Sequence, residues 1–187
     1  MSGKKNLKGF SRFKLFPITK NTEDEYAVET GTLIPYAQTL SKDLQSSENP
    51  IYADDDVYDA GLDVTGENFT LTLAELPDEL RPSLEGGAYN SESKEYDFKT
   101  TDSSPEFACT YRGLMGNGNY KMFRQYRAQV AKIKVDLNTK GNGTTSSVSI
   151  EGKFLPRTCD KKLVTTKEAT STEDLTWLDS ITAVTNS

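Results

Sequence analysis

Histidine is absent from this 187-residue chain, which removes both the commonest general acid or base near neutral pH and the commonest zinc ligand. Most hydrolase and transition-metal chemistries thereby lose their usual parts. Cysteine is scarce: Cys109 and Cys159 stand far apart with no CxxC or Cys/His spacing, so free thiols in a reducing compartment are expected. No apolar run nears the roughly 20 residues of a membrane-spanning helix. The start "MSGKKNLKGFSRFKLF" is basic and broken by charge, unlike a secretory signal. A soluble product of the cytoplasm, with no membrane partner, is expected. Positive charge is in deficit too, with 22 Lys and Arg against 28 Asp and Glu, a net charge of −6 and a pI near 4.8. A dedicated grip on nucleic acid needs clustered cations, so specific DNA binding is not expected.

What the chain has in abundance is acid, unevenly placed. Residues 43–106 hold 17 acidic and 3 basic side chains, and the remainder holds 11 and 19. Such segregation suits copies that meet positive surface to negative surface, although strand placement alone also produces it. Asp54, Asp55, Asp56, Asp59 and Asp63 crowd into one stretch. Asp54 and Asp56 have the first spacing of a calcium loop, but Tyr58 occupies the third ligand position, and the glycine and closing glutamate fall out of register. A glycosidase carboxylate pair needs one acid in an apolar pocket, whereas these lie in a hydrophilic stretch. "GLMGNGNYK", residues 113–121, lacks the Gly-Lys-Ser/Thr ending of a phosphate cradle and reads as a hairpin turn. Lys121, Arg124, Arg127, Lys132 and Lys134 interleave with Tyr120, Phe123 and Tyr126 in the manner of a single-strand binder, yet the same alternation describes an exposed strand face. No nucleophile, base and oxyanion set is found. Neither catalytic residues nor a cofactor or metal are expected.

Apolar periodicity points to strands. Phe13 and Leu15 alternate with Arg12 and Lys14, and "YAVETGTLIPYAQTL" reads as an extended segment interrupted by Gly31 and Pro35. Residues 41–59 are too polar to read as more than a loop or a marginal hairpin. Leu62 and Val64 then lie on one parity and Phe69, Leu71 and Leu73 on the other, with Gly66 at the switch. A bulge there restores one face, leaving Asp63, Thr65, Thr70 and Thr72 on the polar side. "ELPDELRPSLEGG" predicts one short helix, with Pro77 near its start and Gly86-Gly87 as its stop. Tyr120, Met122, Tyr126, Ala128 and Val130 give way to the opposite parity of Ile133, Val135 and Leu137, so a second bulge is expected near Ala131. "SSVSIEGKFLPR" turns Val148, Ile150 and Phe154 inward. The class is mainly β with one short helix. After Arg157 the chain is polar except for Leu175, Trp177, Leu178 and Ile181, with a short helix predicted near 172–181. That apolar spot either folds back on its own domain or latches a neighbour.

Several of these pieces, in order, resemble the major tail proteins of long-tailed, non-contractile phages of Gram-positive bacteria: "YADD" at residues 52–55, "LTLAELP" running into the short helix, the "NGNYK" turn, and "IEGKFLPR". The similarity spans residues 7–157, and "DLTWLDSI" resembles the Trp-containing end of that family. A longer polar linker before it and the non-aromatic Leu178 are departures.

The resemblance implies a tail tube subunit: a β-sandwich or half-barrel with a helix at its side, six to a ring, whose inner sheets join into a barrel around a DNA channel. It divides the chain into a tube domain, residues 1–157, with a basic N-terminal arm and a long loop at 41–59, and a C-terminal arm, residues 158–187. The implied partners are further copies of itself in stacked rings, a tape measure protein, and tail completion or baseplate proteins. DNA would pass without specific binding, and the location would be the virion tail. The loop would contact the next ring through Leu44, Gln45, Asn49, Ile51, Tyr52, Asp54, Asp55 and Asp56. Asp63, Thr65 and Glu67 are candidates to line the channel, where acid lets DNA slide. Leu175, Trp177 and Ile181 are candidates to dock the C-terminal arm. The alternatives are the tube of a phage-tail-like bacteriocin and a monomeric carbohydrate-binding β-domain.

Overall fold

The computed structural model describes residues 6–53, 56–138, 146–169 and 173–185, with the backbone alone for residues 48–53, 56–62 and 173–174. Its elements in order are β1 (Leu7–Asn21), β2 (Glu25–Val28), β3 (Thr32–Leu33), β4 (Ala37–Ala53), β5 (Asp56–Leu73), α1 (Pro82–Glu85), β6 (Ala88–Asn90), β7 (Glu95–Asp97), β8 (Phe107–Met115), β9 (Tyr120–Asp136), β10 (Ser147–Phe154), β11 (Val164–Ala169) and β12 (Val184–Thr185). A 3-10 turn at Asp78–Leu80 precedes α1, and another spans Glu173–Asp179. The class is thus mainly β with one short helix, and every strand pairing among the described residues is antiparallel.

One sheet runs β12-β2-β1-β8-β9-β10-β5-β4, with β3 added to β1 and β11 added to β9; β6 and β7 form a separate hairpin. The long β9 organises it. Its first half is flanked by β8 and β11 and its second half pairs with β10. At the far end of the strand order, β4 returns within 8 Å of β1 in Cα positions, with no ladder between them. The six strands from β1 round to β4 thus nearly close on themselves, leaving a slot.

Three irregularities set which side chains meet. Between β4 and β5, Gln45 faces Gly66 and Ser46 faces Val64, leaving Thr65 as the extra residue of a bulge. Gly66 has φ 155, and a Cβ there would lie 2.5 Å from the Phe154 carbonyl oxygen, so the expected glycine switch is required by both conformation and close approach. Between β9 and β10, Lys132 faces Glu151 and Val130 faces Gly152, which makes Ala131 the second bulge, where the parity slip placed it. A third bulge was not anticipated: Cys109 faces Gln125 and Phe107 faces Ala128, so β9 also slips at Tyr126 and Arg127. Met122 and Tyr126 therefore do not share a face with Ala128 and Val130. The latter two join the main core, while the former pack on the opposite face.

The main core packs Phe13, Leu15, Leu71, Leu73, Phe107, Ile150 and Phe154, all nearly inaccessible, together with Leu76, just before the short helical segment, and Leu84 within it. Phe69 and Phe154 stack at 4.3 Å between centroids. Arg81 ties the helical segment by pairing with Asp78 at 2.8 Å and Glu85 at 3.1 Å. The other face is covered by the chain after Arg157, which supplies Ala169, Leu175, Leu178 and Ile181. This double covering explains why Leu15 and Phe16, successive in sequence, are both buried.

Candidate assembly surfaces

Of residues 41–59, expected as loop or marginal hairpin, 41–53 and 56–59 belong to a strand pair: the β4–β5 ladder continues from Ala37 opposite Leu73 to Ala53 opposite Asp56. β10 covers β5 only from Glu67 to Leu73. Beyond Gln45 and Gly66 the two strands have only each other, so at ~3.3 Å per residue a ribbon of about 30 Å projects from the sheet. Residues 43–67 carry eight acidic and no basic side chains. A lone two-stranded ribbon is marginally stable in water, and here both outer edges offer unpaired backbone groups.

The proposed stacking residues lie along this ribbon. Leu44 is 56% exposed at its root, and the Gln45 amide donates to Asp43 Oδ2 at 2.8 Å. Asn49 faces Gly61, Ile51 faces Asp59, Tyr52 faces Val57, and Asp56 faces Ala53. Asp54 and Asp55 lie outside the described residues. The three channel candidates separate. Asp63 and Thr65 are exposed, and Thr65 Oγ1 donates to the Gln45 carbonyl at 3.2 Å. Glu67 departs from the expected polar face: its carboxylate takes the Lys42 ammonium at 2.9 Å and the Gln125 amide at 2.8 Å, with a side chain only 13% exposed. Glu67 shares the parity of the buried Phe69, Leu71 and Leu73, which turns it inward beside the fully buried Gln125. Val64, grouped by parity with the inward set, is 54% exposed, because the core ends where β10 stops pairing with β5.

The C-terminal arm is seated on its own domain in this single chain. Leu175 and Ile181 are buried and Leu178 is fully so. The arm is also gripped by polar groups of the sheet: Thr110 Oγ1 donates to the Leu178 carbonyl at 2.7 Å, and Arg124 donates to the Trp177 carbonyl at 2.5 Å. The Arg124 guanidinium covers the Trp177 ring, and its burial lowers the arginine's proton affinity. Asp179 pairs with Lys14 at 2.6 Å and Arg12 at 3.4 Å, and β12 finishes the arm by pairing with β2. None of these sheet residues carried a distinguishing signal. Thr110, Arg124 and Leu178 look like ordinary strand and arm positions until the two are brought together.

The start of the arm is fixed by Arg157. Its guanidinium, 4% exposed, lies over the Tyr26 and Tyr126 rings and makes paired hydrogen bonds to Asp160 at 2.6 and 2.7 Å. Those bonds hold the Asp160 carboxyl well below the usual carboxylate range and raise the arginine further. Burial pushes the Tyr26 and Tyr111 phenols and the Cys109 thiol up, so Cys109 is an inert core residue.

The slot between β1 and β4 is a groove of about 410 Å³. Leu7–Phe10 form one wall and Gln38–Lys42 the other, with Tyr111, Gly113 and Phe123 as floor. Phe123 stacks on Tyr111 at 4.8 Å, and Phe10 meets Tyr111 edge-on at 5.9 Å. No group of three or more Cys, Asp or Glu is placed to hold a metal among the described residues, and no helix there is long and apolar enough to cross a membrane.

No protein-family model and no curated protein matches the chain. Solved structures similar to the chain include three. The tube-terminating cap of the anti-feeding prophage aligns with TM-score 0.47 and 10% identity over 84% of this chain and 89% of its own. The SPP1 tail tube aligns with TM-score 0.43 and 10% identity over 91% and 84%. The anti-feeding prophage baseplate structure aligns with TM-score 0.40 and 11% identity over 89% and 97%. Likeness at this level does not identify a function.

Proposed function

We propose that this chain is a self-assembling structural subunit of a phage tail tube, without a catalytic step. The observation that carries the reading is the acidic β4–β5 ribbon, which projects about 30 Å from a half-barrel with two unpaired edges. A feature of that length and charge gains stability by docking on a basic surface of another copy, and unpaired edges become an assembly device once neighbours cover them. The sequence resemblance supplies the form of the assembly: rings of six, stacked into a tube, with inner sheets joined around a channel. The net charge of −6 supports passage of DNA without retention, since phosphates bind clustered cations and slide past acid.

Negative-stain imaging and size-exclusion chromatography of the purified protein over a range of concentrations test this. Rings and tubes are expected. A species that stays monomeric at every concentration overturns the reading and favours a monomeric binding domain, which glycan binding would then reveal.

A further inference from the structure

We propose that the C-terminal arm is a releasable cap: seated on its own chain it closes one end of the sheet and an apolar patch beside it, and copies associate only once it has lifted. The inference rests on the assembly reading and assigns to the chain the contact that restrains its own assembly.

The strand order ends at β4 and at β12, and the two ends differ. β4 pairs with β5 alone among the described residues. At the other end the outer edge of β2 is taken by β12, two residues of the arm, with Val184 opposite Tyr26 and Thr185 opposite Glu25. Without the arm β2 becomes a second open edge, and a sheet with two open ends is a template for pairing with other chains. The same arm covers the face beside that edge. Phe16, Ala108, Met122 and Tyr126, on β1, β8 and β9, are at most 7% exposed and cluster with Leu175, Leu178 and Ile181 of the arm. One movement therefore uncovers an edge and an apolar patch together.

The hold on this segment is one that can be undone. Glu173–Asp179 is a 3-10 turn and β12 has two residues, so neither keeps its shape without the sheet beneath it. The two polar grips, from Thr110 to the Leu178 carbonyl and from Arg124 to the Trp177 carbonyl, engage main chain, so they fix the segment's position without requiring its sequence. Asp179 meets Lys14 and Arg12 through side chains 42%, 19% and 37% exposed, where salt screens the pairing. The chain before it is anchored differently. The Arg157–Asp160 pair is built on a guanidinium sealed from water, and β11 lies along β9 for six residues, ending at the fully buried Ala169. The boundary between fixed and movable chain thus falls after Ala169, and the part that lifts carries the 3-10 turn and β12.

The test ties the arm down and, separately, loosens it, in full-length chains. Facing residues of an antiparallel pair have Cα atoms about 4.5 to 5.5 Å apart, within the range a disulfide spans. Glu25, half-buried, and Thr185, exposed, are such a pair. Glu25→Cys with Thr185→Cys, in a chain that also carries Cys159→Ser, therefore locks the arm to β2 when oxidised and frees it when reduced. The oxidised chain should stay monomeric at concentrations where its reduced form builds tubes as the wild type does. Asp179→Asn, which removes the part-exposed ion pairs, should lower the concentration needed for tubes at least threefold. An oxidised chain that assembles as readily as the reduced one overturns this proposal alone. So does an Asp179→Asn chain that needs as much protein as the wild type or more, since the seated arm then does not restrain assembly. A wild-type chain that is monomeric at every concentration sinks the tube reading; association of Asp179→Asn with Trp177→Ala under the same conditions supports the cap even then, and its absence ends it.

Discussion

The Arg124 guanidinium lies 3.8 Å from the centroid of the Trp177 ring, and the same side chain donates to the Trp177 carbonyl. One residue of β9 thus holds both the ring and the backbone of the C-terminal arm. Beside it Leu178 is fully buried against Met122 and Ala169.

The arm is therefore expected to stabilise the isolated chain. Leu178→Ala should cost about 3 kcal/mol through the cavity it leaves, and Trp177→Ala about 2 kcal/mol through lost burial and cation–π contact. Urea unfolding of the monomer measures both. If neither exchange moves the monomer midpoint while assembly weakens, the arm's working contact lies on a neighbour.

Gly66→Ala is expected to cost about 2 kcal/mol, because φ 155 is unfavourable for a residue with a Cβ and because that Cβ would press on the Phe154 carbonyl. Thermal melts should show the loss, and hydrogen exchange should show it concentrated where the ribbon leaves the sheet. A wild-type melt for the variant would mean that the bulge shifts freely.

The bulges at Gly66 and Ala131 were readable because apolar residues there change parity on strands with one buried face. The slip at Tyr126 and Arg127 was hidden, since β9 is covered on both faces in that region and apolar residues occur on both parities. The ribbon was read only as far as loop or hairpin for the opposite reason. Its strands extend beyond the core, so no alternation marks them. Trp177 drew notice as the single tryptophan, but its partner Arg124 looked like any strand cation. Glu67, a candidate for the channel wall, shares the parity of Phe69, Leu71 and Leu73, a local signal for the inner face, but nothing local reveals that Lys42, 25 residues earlier, and Gln125, 58 residues later, converge on it.

The Arg157–Asp160 pair should appear in the acid limb of stability. A carboxyl whose folded value is depressed contributes stability that is present above its unfolded value near ~3.9 and is lost as pH falls through the folded one. Asp160→Asn should cost about 2 kcal/mol at neutral pH, since it leaves a buried guanidinium without its counter-charge. The difference between wild type and variant should stay level down to about pH 5 and shrink below pH 4. A difference that is unchanged at pH 2 would show that the loss is steric rather than electrostatic.

Glu67 and Asp63 lie on the same strand, yet removing their charges should have different consequences. The Glu67 carboxylate is shielded and shared between Lys42 and Gln125, so Glu67→Gln leaves a half-buried ammonium unpaired and should cost about 2 kcal/mol in monomer stability. Asp63 is exposed on the ribbon, and Asp63→Asn should change stability by less than about 0.5 kcal/mol. In assembled tubes the order reverses. If Asp63 faces the channel, Asp63→Lys places a ring of cations where DNA must pass, and DNA retention should rise at low salt and fall away as the Debye length shortens below about 10 Å. Glu67→Lys is a poor probe of the same question, because it sets two ammonium groups against each other within the sheet. Tubes of Asp63→Lys that hold no more DNA than wild type at low salt would remove Asp63 from the wall and turn attention to the acids nearer the ribbon tip.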